Sequence, residues 1–289
     1  MALDLPVAAP RPATATPRPP LTPRPPLTRR ATIGTELNAT LVERDDLTPT
    51  IARLRVRPDA DAAAAAFRAG QYRAIGLPVD GRLVQRPYSL ASAPDETGDL
   101  EFLVRLVPSG SLTPSLWRLR PGERVRLGPP KGLFALDDGD PRQHLLLATG
   151  TGIAPLRSML ASLLPRRAAR TESGQLDRPP IVVHGVTSTP ELAYRDQLER
   201  LASEGTIVYV PVISRPADPA NNGWCGLTGR LDGIIGRIAG DARIAPSSTI
   251  AYLCGNPAMI AAVEPRLAEL GLPEDAIRSE HYWTAQPSG

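Results

Sequence analysis

The chain has 289 residues, 42% of them apolar, enough for a packed core in each of two ordinary domains. Its net charge is +3, but residues 1–30 hold Arg11, Arg18, Arg24, Arg29 and Arg30 against Asp4 alone, a balance of +4 that leaves the remainder near −1 and argues against nucleic-acid binding by the folded body. Two cysteines (Cys225 and Cys254) and three scattered histidines are too few for an iron–sulfur cluster, a disulfide framework or a metal site, and no apolar run is long enough to span a bilayer.

In chain order, residues 1–31 are rich in proline, alanine and arginine and repeat Pro-Arg-Pro-Pro-Leu-Thr at 17–22 and 23–28. Having little apolar surface to bury, this segment is expected to be a disordered or polyproline-II-like tail, with a partner-binding arm as the alternative. With Asp4 and no apolar h-region it is not expected to be a secretory signal. The scarcity of cysteine suits a reducing, cytoplasmic setting.

From 32 to 140, short β-like runs alternate with turns, at 37–43, 51–56, 82–88, 100–107 and 123–127. Helical periodicity is confined to 114–119, so an antiparallel barrel or sandwich is expected. The alanine-rich stretch 59–66 reads as a surface insertion. From 141 to 289 the rhythm changes. Nearly continuous apolar runs at 145–148, 181–184, 207–212 and 249–253 alternate with helical patterns at 155–164, 190–202, 231–239 and 257–270. Runs apolar throughout suit strands covered on both faces, and the alternation predicts a doubly wound parallel sheet. Pro155, Pro190 and Pro257 are read as first helical residues, the last two preceded by the polar Thr189 and Asn256.

Five constellations carry possible chemistry. At a strand end stand Arg86, Pro87, Tyr88 and Ser89. Alternation puts Arg86 and Tyr88 on one face, where a guanidinium can clamp phosphate, a phenol ring can cover a planar ligand and a serine hydroxyl can bond a ring nitrogen. An ordinary strand-edge arginine is the plain alternative. Ser111, Leu112 and Thr113 precede Pro114, with Thr113 read as an N-cap; the helix start offers N–H groups to a pyrophosphate, or is simply a capped helix. Gly150, Thr151 and Gly152 follow the first strand of the second domain and lead towards Pro155, a strand, glycine turn and helix in which backbone can approach phosphate. Cys254, Gly255 and Asn256 follow the last parallel strand, where open α/β sheets bind ligands; Cys254 is equally readable as a small buried hydrophobe. Tyr282 and Trp283 close Glu280-His-Tyr-Trp, either pinning the last strand or stacking on a planar ligand.

Taken together and in this order, these residues resemble the ferredoxin/flavodoxin–NADP⁺ reductases, the short bacterial type in particular. The resemblance runs from Thr32 to Trp283 and rests on Val84-Gln-Arg-Pro-Tyr-Ser89, Asp99-Leu-Glu-Phe102, 148–155, Gly226-Leu-Thr-Gly-Arg230, Leu253-Cys-Gly-Asn-Pro257 and Glu280-His-Tyr-Trp283. It implies a Greek-key FAD barrel followed by a doubly wound NADP-binding domain. It makes Arg86, with Pro87, the FAD-phosphate residue, Tyr88 the ring on one flavin face and Ser89 the partner of flavin N5. Leu103, Val104 and Arg105 would present backbone to the flavin, Ser111, Leu112 and Thr113 would form the phosphate turn, and Thr151 would lie near the ring. Tyr282 and Trp283 would cover the other flavin face and the adenine.

For the nucleotide, the resemblance implies a site at Gly150, Gly152, Thr187, Ser214, Arg215, Arg230, Cys254, Gly255 and Asn256. Arg215 and Arg230 would grip the 2′-phosphate; a charge-assisted contact is worth about 1.5–3 kcal/mol, tenfold or more in favour of NADP(H) over NAD(H). Ser89, Tyr88, Cys254 and Tyr282 are the catalytic candidates, with hydride exchanged between the nicotinamide, once it displaces Tyr282, and flavin N5. Ferredoxin or flavodoxin is the implied partner of a cytoplasmic monomer without membrane insertion. An NADH-dependent oxygenase reductase component and a non-catalytic nucleotide-binding electron-transfer subunit are the rival readings. Four features depart from the family: Thr187 in place of an arginine, Leu103 in place of a tyrosine, an insertion at 216–224 and an extension at 284–289.

Overall fold

A computed structural model of the chain describes residues 36–63, 66–96, 98–137, 139–172 and 178–282. The proline-rich tail, Trp283 and the extension at 284–289 lie outside the described residues, as do 64 and 65 of the alanine-rich stretch.

The first half is an antiparallel barrel of β1 (Ala39–Thr48), β2 (Ile51–Pro58), β3 (Tyr72–Val79), β4 (Arg82–Ser89), β5 (Leu100–Arg105) and β6 (Arg124–Leu127). The strand order is β4-β3-β6-β1-β2-β5, and a bridge between Leu90 and Phe102 joins the two ends. Period-two alternation builds the interior: along β2, Leu54 and Val56 are buried while Arg55 and Arg57 are exposed. Strand β3 has no counterpart among the sequence-predicted runs, because Gly76 and Pro78 interrupt its alternation. Its turn was nevertheless encoded. Asp80 and Gly81 have φ of 49° and 73°, the two positive values that a tight two-residue hairpin needs.

Two short helices, α1 (Ala60–Ala63) and α2 (Thr113–Leu116), decorate the barrel. The alanine-rich stretch is exposed at Asp59, Ala60 and Ala66, as a surface segment should be, and is tied to the barrel at Ala62. Ala62 is buried and its carbonyl accepts from the buried Arg73 at 3.0 Å, whose other bond runs to the Gly128 carbonyl at 2.6 Å. The N-cap reading of Thr113 is corrected. Thr113 is the first residue of α2, and its buried hydroxyl bonds both the N–H and the carbonyl of Val107, closing the loop after β5.

The second half is a parallel sheet of β7 (Gln143–Thr149), β8 (Ile181–Val186), β9 (Val208–Ile213), β10 (Leu227–Thr228), β11 (Thr249–Gly255) and β12 (Ile277–His281), in the order β10-β9-β8-β7-β11-β12. Its helices are α3 (Ile153–Glu172), α4 (Arg195–Ser203), α5 (Leu231–Asp241) and α6 (Pro257–Glu269). Alternate residues feed opposite faces. Leu146, Val182 and Tyr252 pack with α3 and α4 residues such as Met159 and Leu198, whereas Leu145, Leu147 and Leu253 pack with Ile235, Ile260 and Val263 of α5 and α6. Two-sided burial is why these strands read as continuous apolar runs.

Of the three prolines read as helix starts, only Pro257 is one, with the Asn256 carboxamide accepting from Ala258 N–H at 2.8 Å. Pro155 is the third residue of α3, where its missing N–H has no intrahelical partner to lose. Pro190 sits in a separate 3₁₀ turn, Thr189–Glu191, and α4 begins at Arg195 because Tyr194 takes a left-handed φ of 62°. Helix α3 also runs through Pro165, well beyond its expected end at 164.

The barrel and the sheet pack through a shared core in which Ile51, Ala91 and Leu103 meet Ala154, Met159 and Tyr252. Polar contacts fix the junction: Ser158 Oγ donates to the Ser92 carbonyl at 2.7 Å, and the Tyr194 hydroxyl to Glu101 at 2.8 Å. Among the described residues, no helix is long and apolar enough to cross a membrane.

Two glycines test this packing with opposite signs. A Cβ at Gly152 would lie 2.3 Å from the Cys254 carbonyl oxygen, whereas one at Gly236 in α5 meets nothing within 4 Å. Gly152→Ala is expected to destabilise the protein by about 1–3 kcal/mol, and Gly236→Ala to stabilise it by roughly 0.5–1 kcal/mol. Thermal denaturation of both variants beside the parent checks this; equal melting temperatures for Gly152→Ala and parent would contradict the close approach.

Candidate active site

The chain leaves β7 for β8 on one side and returns through β11 on the other, so the β7/β11 gap is the point where strand order reverses. Open α/β sheets bind ligands beyond the carboxyl ends of their strands at such a point. Here a cleft of about 630 Å³ opens, floored by the turns after β7 and β11. The first turn, Gly150–Gly152, is a 3₁₀ turn running directly into α3, with Gly150 at a φ of 53°. Beneath it, fully buried His184 bonds the Gly150 carbonyl through Nε2 at 3.0 Å; burial pulls its pKa down to about 4, so a neutral imidazole holds the turn. In the second turn, Gly255 has a φ of 132°, and a Cβ there would lie 2.4 Å from Thr149 Oγ1. That hydroxyl oxygen accepts from Asn256 N–H at 2.9 Å, tying the start of α6 to the end of β7.

One part of the cleft is cationic. Arg105, Arg215 and Arg230 line it with the carboxylates Glu191 and Asp232. Arg105 pairs with Glu191 at 2.7 Å and Arg230 with Asp232 at 3.2 Å, while among the described residues no carboxylate pairs with Arg215. Thr187 and Ser214 line the same cleft, as do Gly150, Thr151, Gly255, Asn256 and Tyr282. Gly152 and Cys254 lie behind it, packed on each other.

At the barrel side, four side chains meet. Strand register sets Cys254 of β11 beside Ala148 on one flank and Glu280 of β12 on the other. The next turn of chain is pinned by Tyr282 N–H donating to the Gly255 carbonyl at 2.8 Å. From there the Tyr282 hydroxyl donates to Ser89 Oγ at 2.8 Å, and Ser89 donates on to Glu280 at 3.1 Å. Tyr282 also packs against the buried cluster that includes Cys254. Burial pushes the Cys254 thiol well up, with Glu280 adding to the shift, so Cys254 is a neutral thiol here. Burial likewise raises Tyr282, and carries Glu280 to about 7 against the opposing bond from Ser89. Ser89, Cys254 and Tyr282 were legible as candidates in the sequence. Glu280 was quoted only as part of a motif; β12, the short strand that brings it in, is absent from the predicted runs.

On the other flank, Arg86 Nη2 donates to Ser111 Oγ at 2.6 Å. The two expected phosphate groups therefore converge, as an exposed cation and a hydroxyl with no carboxylate between them. Tyr88 packs against the barrel core, and burial raises its hydroxyl to about 12. Pro87 is exposed between them. Leu103, Val104, Leu112 and Thr113 are buried, so any part they take in binding is through backbone. A cation and hydroxyls for phosphate, phenol rings and a serine hydroxyl for a planar heterocycle, and no acid paired with Arg86 among the described residues make a donor set that fits a flavin dinucleotide.

The fold and this site define a two-part oxidoreductase that joins a flavin site on a barrel to a nicotinamide-dinucleotide site on an α/β sheet. Residues 38–136 match the oxidoreductase FAD-binding domain family and residues 146–265 the oxidoreductase NAD-binding domain family. The chain is 34% identical over 248 residues to ferredoxin–NADP reductase B of Sorangium cellulosum, covering 84% of this chain and 96% of that one. It is 33% identical to the flavodoxin/ferredoxin–NADP reductase of Escherichia coli over 67% of this chain and 76% of that one. Its fold matches a ferredoxin NADP⁺ reductase of Neisseria gonorrhoeae, solved with bound FAD and NADP, at a TM-score of 0.73 and 24% identity, over 85% of this chain and 98% of that one. The chain belongs to the ferredoxin–NADP reductase family.

The raised pKa of Glu280 has a signed consequence. Its folded value, about 7, lies above the ordinary 4.5, so the stabilisation it carries is complete in acid and is lost as pH rises towards the folded value. The melting temperature of flavin-free Glu280→Gln, minus that of the parent, is expected to increase between about pH 5 and pH 8. A difference that stays flat across that range would mean the carboxyl is ordinarily solvated.

Proposed function

We propose that this chain is an FAD-dependent reductase that exchanges electrons between NADP(H) and a small one-electron carrier, a ferredoxin or flavodoxin. The observation that carries the reading is the hydrogen-bonded chain from Tyr282 through Ser89 to Glu280, beside Cys254, at the barrel end of a cationic nucleotide-sized cleft. Bound FAD supplies hydride exchange with a nicotinamide and single-electron exchange with the carrier.

The chain's own residues supply binding, orientation and exclusion of water. Arg86 and Ser111 would hold the FAD phosphates, with the backbone of Leu112 and Thr113 behind them. Tyr88 would lie on the isoalloxazine ring, Ser89 would direct its hydroxyl to a ring nitrogen, and Leu103 to Arg105 would line the ring with backbone. Tyr282 fills the nicotinamide's place and must leave it for turnover, as in the expectation drawn from the family. Glu280, with a pKa near 7, can hold or release a proton beside Ser89 at neutral pH. Gly150, Asn256 and the start of α6 would receive the pyrophosphate together with the Arg105 guanidinium. Arg215 and Arg230 would grip the 2′-phosphate; Thr187 beside them is uncharged, so preference for NADP(H) would rest on two guanidinium groups.

The same reading makes 32–140 the FAD domain and 141–289 the NADP domain, supported by the last barrel pairing at Lys131 and the first sheet strand at Gln143. It makes the protein a monomer and cytoplasmic, the latter supported by two free thiols.

The purified protein is expected to be yellow and to reduce ferricyanide with NADPH; a colourless protein that takes up no FAD would overturn the reading. Arg86→Ala is expected to lose most of its bound flavin. Arg230→Ala is expected to lower the ratio of kcat/KM for NADPH to that for NADH by about tenfold, at a charge-assisted contact of roughly 1.5–3 kcal/mol. An unchanged ratio would favour the NADH-dependent alternative.

A further inference from the structure

The segment 216–224, an insertion by family resemblance, folds as a compact bridge at the cationic end of the cleft. We propose that Asn221 in this bridge is a positioning residue for nucleotide specificity, stapling the backbone of Arg215 to the Thr189 turn so that Arg215 is preset for a 2′-phosphate. This rests on the reading of Arg215 as a 2′-phosphate ligand.

Asn221 is 3% exposed, which is rare for a carboxamide unless both ends are bonded. Both are. Its Oδ1 accepts from Thr189 N–H at 2.7 Å and its Nδ2 donates to the Arg215 carbonyl at 2.7 Å. One partner is a pure donor and the other a pure acceptor, so only one amide orientation satisfies them. The bridge is held in place independently of any ligand. Asp218 caps the turn by accepting from Ala220 N–H at 2.9 Å, and Thr189 Oγ1 donates to the Ala220 carbonyl at 2.7 Å. At its far end Trp224 packs against Val186, Leu192 and Ile213, and its Nε1 donates to the Leu227 carbonyl at 3.1 Å.

The two backbone groups that Asn221 joins follow β8 and β9; Arg215 has two other backbone ties, its N–H to the Thr187 carbonyl at 3.3 Å and, within the inserted turn itself, its carbonyl to the Asp218 N–H at 3.1 Å, so Asn221 is the side chain that links its carbonyl to the Thr189 turn. The guanidinium is exposed and unpaired among the described residues, so the backbone beneath it is what limits where it can reach. Fixing that backbone before the ligand arrives lowers the ordering cost of binding. The benefit falls on the 2′-phosphate alone, the one group that distinguishes NADPH from NADH. The inserted segment thus acts on specificity without touching the nucleotide.

The test measures kcat and KM of the holoenzyme for NADPH and NADH, with inhibition constants for 2′,5′-ADP against 5′-ADP, in Arg215→Ala, Asn221→Ala and the double variant. Arg215→Ala is expected to cost about tenfold in the NADPH:NADH ratio of kcat/KM. Asn221→Ala is expected to lose most of that same factor through KM for NADPH, with kcat and the NADH parameters unchanged, and the double variant to be no worse than Arg215→Ala. Thr189→Val, which keeps the shape and removes only the bond to Ala220, is expected to show a smaller loss of the same kind and covers an Asn221→Ala protein that fails to fold. If Arg215→Ala collapses the ratio while Asn221→Ala and Thr189→Val leave it intact, or lower NADPH and NADH equally, the staple is wrong and the 2′-phosphate reading stands. If Arg215→Ala itself leaves the ratio unchanged, that reading falls and takes the staple with it.

Discussion

The interlock between the turn after β7 and the end of β11 is the constraint on which the rest of the structure depends. Gly152 faces the Cys254 carbonyl, and Gly255 faces Thr149, at distances that leave no room for a methyl group. Because the two turns press on each other, α3 and α6 both start at the same gap, and their unpaired N–H groups open on one cleft. Strand register acts next. Cys254 is opposite Ala148 on one side and Glu280 of β12 on the other, and the chain emerges with Tyr282 tied to the Gly255 carbonyl. Positions 254, 280 and 282 are thus gathered by strand register, and the packing of the barrel on the sheet brings Ser89 to them.

The cleft is graded in polarity. At one end three guanidinium groups face two carboxylates, a setting that favours a polyanion. At the other end burial keeps Cys254 and Tyr282 neutral, and Glu280 sits near the midpoint of its titration. Phosphates would be drawn to the first region and an uncharged ring to the second, so the orientation of a dinucleotide follows from electrostatics before any specific contact forms. His184 belongs to the same logic: it must bury a polar ring to hold the Gly150 turn, and it does so as the neutral form, which adds no charge under the phosphate end.

Much of this was legible in the sequence, and the omissions have physical causes. The parallel strands were readable because two-sided burial makes them continuously apolar, and the glycine turns because close approach demands glycine. Strand β3 was lost to Gly76 and Pro78, although the Asp80-Gly81 hairpin signal stood beside it. Strands β10 and β12 were missed because they lie at the sheet's two edges; β10 is two residues long, and β12 carries polar residues, including Glu280 itself. Three proline-based helix starts yielded one true start, since proline is tolerated anywhere in a first turn and also suits 3₁₀ turns. Neither the Arg105–Glu191 pair nor the Asn221 staple could be read from local pattern, because each joins residues whose proximity is set only by tertiary packing.

On the proposed reading, Tyr282 is the one part of the cleft that moves. The walls of the cleft are strand ends locked by the sheet and by the Gly152 and Gly255 contacts. Tyr282 itself lies one residue beyond β12; its hydroxyl bonds Ser89, and the residue packs against the buried cluster that includes Cys254. On the proposed reading, displacing the ring would break that bond, and the backbone tie of Tyr282 N–H to the Gly255 carbonyl could serve as a pivot. Ser89 would lose only the bond it accepts from Tyr282; its own proton, donated here to Glu280, stays available to Glu280 or, on the proposed reading, to a flavin ring nitrogen. The two groups that would lose a partner are neutral hydroxyls, for which an unmade bond costs about 1–3 kcal/mol, far less than stranding a buried charge. A charged residue at position 282 would have made the same motion prohibitive; a phenol makes it accessible to a ligand that supplies replacement contacts.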